Sequence, residues 1–282
     1  MFYNNIKTLV LLGALTLLIV LCGQLIGGTR GLQMALIMAG VMNLVSYFFS
    51  DRIALAAMRA HEVGPEHPLY GIVQQLVARA NLPMPRVYVS PQSAPNAFAT
   101  GRSPRHAAVC ATEGLLAMLS PQEIAGVMGH EMAHVKHRDI LIVSIAATIA
   151  AAISYLGYMV MWGGGRNDRE GGHPLGGLLV LLLGPLAAGL IQAAISRSRE
   201  FNADTEGAML SGDPRHLASA LQKIHAAANR IPMDVNPAFN SLFIAEPRNV
   251  LAGMANLFAT HPPLEARLDN LRALQMNPST GR

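Results

Sequence analysis

The chain carries the pattern His-Glu-Met-Ala-His at positions 130–134. On a helix, His130 and His134 lie one turn apart on the same face, so both imidazoles can bind one metal ion. Glu131 projects beside them, where its carboxylate can take a proton from a water held at the metal. This arrangement is typical of zinc-dependent peptide-bond hydrolysis. The pattern therefore predicts metal ligands at His130 and His134 and a catalytic base at Glu131.

A third protein ligand is expected, because a catalytic zinc site usually takes three and leaves one position for water. His137 shares the helix face of His130, but seven residues of helix span about 10 Å, too far for both to bind one ion. Glu200 is the better candidate, since Asp204, one turn further on, could hydrogen-bond the outer nitrogen of a ligand histidine. The alternative is that both acids belong to an ordinary charged helix face, paired with neighbouring arginines.

The helix that presents the two histidines has a clear start in the sequence. Residues 120–123 read Ser-Pro-Gln-Glu, which supplies an N-cap, a proline in the first turn and a capping-box glutamate. Apolar side chains follow at helical spacing, at Ile124, Val127 and Met128. These signals predict one helix that begins after Ser120 and runs through the histidine pattern.

Four apolar runs each approach the roughly 20 residues that cross a bilayer. We expect two helical hairpins, the first with a short loop at 28–30; the alternative for the second pair is two buried helices of a globular core. His134 precedes the third run and Glu200 follows the fourth, so a hairpin would bring both to one membrane surface. The runs are 6–27, 32–49, 140–162 and 175–195.

Basic residues near the ends of these runs are distributed unevenly. Seven lie on the side that carries both long polar segments, and three lie on the other side. Because cytoplasmic ends of membrane spans carry the excess of Lys and Arg, both polar segments are expected to face the cytoplasm. The seven are Lys7, Arg52, Arg59, Lys136, Arg138, Arg197 and Arg199, and the three are Arg30, Arg166 and Arg169.

The apolar runs divide the chain into four parts. Residues 1–50 form an N-terminal hairpin, 51–139 the first part of a catalytic domain, 140–195 a second hairpin, and 196–282 the rest of the catalytic domain with the third ligand. The polar parts are expected to be mainly α with a small β-sheet. Helices are predicted over 66–81, 199–210, 214–228 and 264–273, and strands over 86–90 and 106–111.

Composition supports a membrane protein and argues against two other classes. Only 13% of residues are charged and 51% are apolar, whereas soluble domains carry about a quarter charged residues. The net charge of +4 does not indicate nucleic-acid binding, because the arginines are scattered without aromatic residues between them. Cys22 and Cys110 lack a paired spacing, so neither a disulfide framework nor a thiolate metal site is expected.

Four segments, in this order, make nearly the whole chain resemble the HtpX-type heat-shock membrane proteases, relatives of Ste24 and Oma1. Two apolar runs before the histidine helix and two after it also match this family. The segments are Asn-Ala-Phe-Ala-Thr-Gly at 96–101, the histidine pattern, Glu200 with Asp204, and Thr-His-Pro-Pro at 260–263 followed by Arg267.

The resemblance implies a thermolysin-like (gluzincin) catalytic fold. In it, one zinc ion per chain is bound by His130, His134 and Glu200, and Glu131 is the base. It also implies that His261 approaches the cleft and donates to the tetrahedral oxyanion.

The same resemblance implies that residues 96–101 form a sheet edge beside the cleft. Asn96, Ala97 and Phe98 would then contact the substrate. A peptide at such an edge is held mainly by backbone hydrogen bonds, which tolerates many sequences.

Together these features predict a zinc endopeptidase in a bacterial inner membrane, with its catalytic domain in the cytoplasm. The resemblance implies misfolded or damaged membrane proteins as substrates, in quality control and the stress response. The expected partners are the lipid bilayer and protein or peptide substrates, with no nucleic acid. Two alternatives remain. A prenyl-peptide-processing protease shares the chemistry but has more spans, and a silent scaffold or chaperone would keep a structural zinc, which usually takes four Cys or His ligands.

Overall fold

The structure, a computed structural model, describes residues 2–149, 197–228, 230–231, 239, 242–244 and 262–276. The predicted apolar run 175–195, most of the run 140–162 and His261 lie outside these residues. The described elements are α1 (Phe2–Ala57), β1 (His61–Glu62), α2 (Pro68–Ala80), β2 (Arg86–Ser90), β3 (Ala97–Gly101), a 3-10 turn (Pro104–His106), β4 (Ala107–Thr112), α3 (Glu113–Met118), α4 (Pro121–His137), α5 (Ile140–Ile149), α6 (Arg197–Ser211), α7 (Pro214–Ala228) and α8 (Leu264–Met276).

Helix α1 consists of two helices joined at Gly28. The backbone there has φ 56° and ψ −141°, a conformation that glycine adopts without the strain a Cβ would add. Asn43 donates from Nδ2 to Oγ1 of Thr16 at 2.8 Å, so the two halves are in contact across the break. The second half, Gly28–Ala57, is long and apolar enough to cross a membrane.

Within the residues that the structure describes, four strands form a mixed sheet in the order β1-β2-β4-β3. Strands β2 and β4 are parallel, and β3 lies antiparallel to β4 at one edge. Because side chains alternate between the faces of a strand, Val87 and Val109 pack towards α2, α4 and α7, while Phe98 and Cys110 pack towards the end of α1. Apolar residues cover both faces, so the strands contain few charged residues.

Helix α2 shows how local sequence sets the ends of an element. His67 caps its start, since Nδ1 accepts the N–H of Leu69 at 3.1 Å. Asn81 ends it with φ 52° and ψ 47°, a left-handed conformation that asparagine adopts more readily than most residues. The structure therefore has a helix within the predicted range 66–81.

Three short elements were not predicted from residue patterns: β1, β3 and α3. Strand β1 has two residues, which is too short for a period-two pattern to be read. Helix α3 has six residues and depends on Thr112, whose hydroxyl accepts the N–H of Leu115 at 3.2 Å. Strand β4 is shifted by one residue from the prediction, and α6 and α8 are each longer than predicted.

Candidate metal centre

Helix α4 presents the histidine pattern, and its start has the predicted capping box. The backbone N–H of Glu123 donates to Oγ of Ser120 at 3.3 Å, and the N–H of Ser120 donates to Glu123 at 2.8 Å. Pro121 occupies the first turn, where a missing N–H costs no hydrogen bond. The helix ends at Arg138, which adopts φ 60° and donates its N–H to the carbonyl of His134.

The buried Glu123 carboxylate also ties α4 to α7, through Oγ of Ser219 at 2.6 Å and Nζ of Lys223 at 2.8 Å. Burial alone would raise the pKa of Glu123, but these donors hold it at about 2, below the ordinary 4.5. A depressed folded-state pKa means that this stabilisation is present above about pH 4.5 and is lost as the pH falls towards 2. We expect Glu123→Gln to lower the melting temperature at pH 7 by about 3–6 °C, with the difference shrinking below pH 4.5.

Thermal unfolding of the two proteins between pH 3 and pH 8 checks this expectation. Asp269→Asn is the matched control, because Asp269 is 70% exposed and pairs only with the neighbouring Arg272 in the described contacts. A Glu123→Gln melting curve that matches the parent at pH 7 would contradict the role given to this carboxylate.

Three predicted ligands meet at one point. Nε2 of His130 lies 3.1 Å from Nε2 of His134, and the Glu200 carboxylate lies 3.4 Å from His134 and 3.8 Å from His130. Bonds of 2.0–2.1 Å at tetrahedral angles separate ligand atoms by about 3.3 Å. Two imidazoles and a carboxylate oxygen at this spacing fit a zinc ion in both geometry and ligand type.

The electrostatics of the cluster also favour a cation. Burial alone would lower the pKa of His134, but Glu200, Asp139 and Glu131 together raise it to about 9. The carboxylates therefore concentrate negative potential where the imidazole nitrogens converge. A divalent cation at this point would be stabilised by the same charges.

Helices α4 and α6 are in close backbone contact at Gly129 and Gly207, which lets the predicted ligands His130 and Glu200 approach each other. A Cβ added to Gly207 would lie 2.4 Å from the backbone nitrogen of His130, and one added to Gly129 would lie 2.7 Å from the carbonyl of Gly207. The obstacles are backbone atoms, which cannot turn aside as a flexible side chain can. Glycine at both positions therefore sets the distance between His130 and Glu200.

Gly207→Ala is expected to separate these helices, lower the melting temperature and weaken zinc binding at least tenfold, because ligand positions must hold within about 0.5 Å. Gly71→Ala on α2 is the control, since its Cβ would meet nothing within 4 Å. Alanine is the better helix former by about 0.8–1.0 kcal/mol, so the control should melt at the same temperature or higher. Zinc titration and thermal unfolding of both variants test the contrast; equal behaviour of the two would contradict it.

Asp204 stands behind the first histidine. Its Oδ1 lies 2.9 Å from Nδ1 of His130, and Arg267 donates to both carboxylate oxygens at 2.6 and 2.8 Å. Burial would raise the pKa of Asp204, but the Arg267 guanidinium and His130 hold it at about 2. Arg267 also donates to the carbonyl of Ile244 at 3.0 Å, which connects α8 to the cleft wall.

A second carboxylate stands behind the other histidine. Asp139 Oδ2 lies 3.4 Å from Nδ1 of His134, and Arg199 donates to Oδ1 of Asp139 at 3.2 Å. These roles of Asp139 and Arg199 were not predicted from the sequence. The contact of Asp139 with His134 could have been predicted from its position, because Asp139 lies between α4 and the third apolar run, next to the last turn of α4.

The alternative was that Glu200 and Asp204 pair with neighbouring arginines on a charged helix face. Among the described contacts, Asp204 instead pairs with Arg267, and the Glu200 carboxylate lies near both histidines. His137 lies 2.5 Å from Glu206 on the outer surface. It is therefore not part of the histidine cluster, as the distance argument required.

A cleft opens at the three predicted ligands. Glu131 lies on its wall and is 4% exposed. The cleft is lined by both polar and apolar residues. The apolar lining is Ala99 from β3, Ile140 and Val143 from α5, and Leu242, Phe243 and Ile244.

The predicted substrate segment forms the edge strand beside this cleft. Oδ1 of Asn96 accepts the N–H groups of Ala97 at 2.9 Å and Ile244 at 3.1 Å. Phe98 is 1% exposed and meets the ring of Phe243 edge to face, with centroids 6.1 Å apart. These side chains are buried against 242–244, and Ala99 is the residue of β3 that lines the cleft. Substrate contact by Asn96, Ala97 and Phe98 stays a prediction.

Comparisons with known proteins all indicate the same protease family. The model of peptidase family M48 matches residues 65–275. The chain is 54% identical over 279 residues to a protease HtpX homolog from Desulforapulum autotrophicum, covering 95% of this chain and 89% of the relative. It is 54% identical to one from Syntrophotalea carbinolica over 95% and 98%, and 50% identical to one from Burkholderia thailandensis over 95% and 96%.

A solved structure shares the fold. The crystal structure of S. mikatae Ste24p matches with a TM-score of 0.52 and 20% sequence identity, covering 96% of this chain and 66% of that one. Together with the matched family model, the helix that carries the histidine pattern and the cleft beside it, these comparisons confirm the resemblance read from the sequence. The chain belongs to peptidase family M48 and is an HtpX-type metalloprotease.

Proposed function

We propose that the chain is a membrane-embedded zinc endopeptidase that binds one zinc ion through His130, His134 and Glu200. The observation that carries this proposal is that three potential ligand atoms lie within 4.8 Å of one another in the lining of a cleft that Glu131 also lines. A structural zinc site would instead close all four positions with Cys and His. The only cysteine whose side chain is described, Cys110, is buried in β4 on the face turned away from α4.

The zinc ion, when bound, supplies Lewis acidity that polarises the scissile carbonyl and lowers the pKa of water to about 7. Glu131 takes one proton from the water whose oxygen attacks the carbonyl carbon. As the C–N bond breaks, Glu131 passes that proton to the leaving nitrogen, so the products are a carboxylic acid and an amine. His261 is proposed as a donor to the oxyanion on the basis of the family motif alone.

The peptide substrate is proposed to add to the outer edge of β3. The N–H of Thr112 donates to the carbonyl of Asn96 at 2.9 Å, which fixes the alternation of hydrogen bonds between β3 and β4. By this alternation, the backbone groups of Ala97 and Ala99 point away from β4. Ile244 already donates to the carbonyl of Ala97 at 3.3 Å, so Ala99 is the position where an extended peptide would pair.

The apolar lining of the cleft supports substrates with exposed hydrophobic segments. Val143, Leu242 and Phe243 would face the side chains of a peptide bound at Ala99. Unfolded segments and misassembled membrane proteins present such sequences, whereas folded proteins bury them. We therefore propose damaged membrane proteins as the substrate class, in quality control and the stress response.

A bilayer location is proposed from α1 and the predicted spans. Large apolar side chains of Gly28–Ala57 are exposed, including Ile37 at 67% and Leu44 at 60%. At its end, Ala54, Leu55 and Met58 are buried against the sheet, which attaches the protease domain directly to this helix. With the excess of basic residues on the same side, we propose two hairpins in a bacterial inner membrane and a cleft that faces the cytoplasm.

The substrate proposal can be tested with the zinc-loaded full chain reconstituted in liposomes. A folded membrane protein and a destabilised variant of it are presented in the same bilayer, and cleavage is followed over time. We expect at least tenfold faster cleavage of the destabilised variant. Equal rates on both, or cleavage of soluble peptides only, would contradict the proposed substrate class while leaving the enzyme class unaffected.

A further inference from the structure

Asp139 and Arg199 occupy the two ends of the segment that separates the halves of the protease domain. Asp139 directly precedes α5, and Arg199 lies in the first turn of α6. Their side chains meet at 3.2 Å beside the cleft, and both line it. One ion pair therefore joins the start of α5 to the first turn of α6.

This ion pair also touches a predicted metal ligand. Arg138 adopts a left-handed conformation and turns the chain sharply at the end of α4. As a result the N–H of Asp139 donates to the carbonyl of His134 at 3.0 Å, while its carboxylate lies 3.4 Å from Nδ1 of the same histidine. The side chain of Asp139 is only 5% exposed, so its charge depends on these partners rather than on water.

Helix α5 has a second buried contact, which lies on the substrate side of the cleft. Oγ of Ser144 and Oγ1 of Thr100 are 2.8 Å apart and buried, which joins α5 to the edge strand β3. Ile140 and Val143 between these contacts line the cleft. The start of α5 therefore contacts both the metal centre and the strand proposed to bind the peptide.

We propose that Asp139 and Arg199 are a positioning pair that orients His134 for metal binding and makes metal affinity depend on how the two ends of the 140–196 segment are held together. The inference rests on the proposed zinc site. Asp139 fixes the ring of His134 through Nδ1, and Arg199 fixes Asp139. A carboxylate behind a ligand histidine changes metal affinity by about 10–100-fold when it is removed.

The test is a zinc titration of the full chain in detergent against a chromophoric chelator, in the Glu131→Gln background so that self-cleavage does not remove protein. Asp139→Ala and Arg199→Gln should each weaken zinc binding about tenfold or more. Because both act through one contact, the double variant should bind no more weakly than Asp139→Ala. Arg199→Lys, which keeps the charge, should recover most of the affinity.

Lys136→Gln is the matched control, because Lys136 also forms an ion pair between α4 and α6, with Glu206, but on the exposed surface. It should leave the zinc affinity unchanged. Affinity within twofold of the parent in Asp139→Ala or Arg199→Gln would overturn the proposal, and so would a double variant whose loss equals the product of the two single losses. A parent protein that binds no zinc would instead overturn the proposed function.

Exchanging the charges of Asp139 and Arg199 tests whether the pair orients His134 or only joins the two ends of the segment. In Asp139→Arg with Arg199→Asp, the ion pair can form again, but an arginine now faces His134. We expect the exchanged protein to recover the melting temperature of the parent, while its zinc affinity stays at least tenfold below that of the parent. Recovery of both would show that the pair only joins the ends, and would overturn the orienting role; if the exchanged protein does not fold, Arg199→Gln against Arg199→Lys decides.

Discussion

Glu131→Gln is expected to abolish peptide-bond cleavage while zinc affinity stays within about twofold of the parent. The carboxylate lies beside the predicted ligands in the cleft, and the amide has the same shape but cannot accept a proton from water. A general base contributes about 10²–10⁴ to the rate, so the residual rate should fall by at least that factor. Cleavage of an unfolded protein and zinc content, measured on the same detergent-solubilised samples, give both numbers.

Glu113→Gln provides the control for this substitution, because Glu113 is an exposed residue in the first turn of α3, outside the cleft. It should retain the parent rate. Turnover within tenfold of the parent in Glu131→Gln would exclude Glu131 as the base. Loss of zinc along with activity would indicate that Glu131 acts in metal binding instead.

Arg267→Met is expected to have the largest effect on stability among single substitutions at the centre. Asp204 is fully buried and accepts two hydrogen bonds from the Arg267 guanidinium. Removing the guanidinium therefore leaves the buried Asp204 carboxylate without its cation. Breaking a buried ion pair in this way costs about 3–5 kcal/mol. Because Asp204 also lies 2.9 Å from His130, zinc affinity should fall about 10–100-fold at the same time.

Two further variants identify the cause of this loss. Arg272→Met changes an arginine on the same helix that is 56% exposed, and should leave melting temperature and zinc affinity unchanged. Replacing both partners, as Asp204→Leu with Arg267→Met, removes the unpaired charge and should restore much of the stability but not the zinc affinity. Thermal unfolding and zinc titration measure the two effects; a stable Arg267→Met single variant would contradict the assigned pairing.

Local sequence predicted that His130 and His134 lie together, because their proximity depends on one helix. His130 and His134 lie close together because they are one helical turn apart, and the capping box that starts their helix is formed within the four residues 120–123. Glu200 required one further step, since it depends on a chain reversal between the halves of the domain. The family resemblance, confirmed by the match over residues 65–275, added the expectation of a sheet edge at 96–101.

Sequence predicted Asp204 beside a ligand histidine, but it could not predict the contacts of Arg267, Asp139 and Arg199, because tertiary packing selects them. Arg267 is 63 positions from Asp204, and although the family resemblance includes Arg267, no periodicity distinguishes it from Arg272 five residues later. Strand β3 reads Ala-Phe-Ala-Thr-Gly, which is poor in β-branched residues, so its strand character comes from pairing with β4. The close contact of Gly129 and Gly207 is likewise visible only once the two helices are brought together.

His130, His134 and Glu200 are proposed to hold the catalytic zinc. The zinc K-edge absorption spectrum of the purified, zinc-loaded full chain, recorded for the parent and for Glu200→Ala, tests this ligand set directly. For the parent we predict one zinc per chain with nitrogen and oxygen neighbours at about 2.0–2.2 Å, two of them imidazoles. In Glu200→Ala, either the zinc content or the number of nitrogen and oxygen neighbours of zinc should decrease. Sulfur neighbours at about 2.3 Å, or a spectrum unchanged in Glu200→Ala, would exclude this set of zinc ligands.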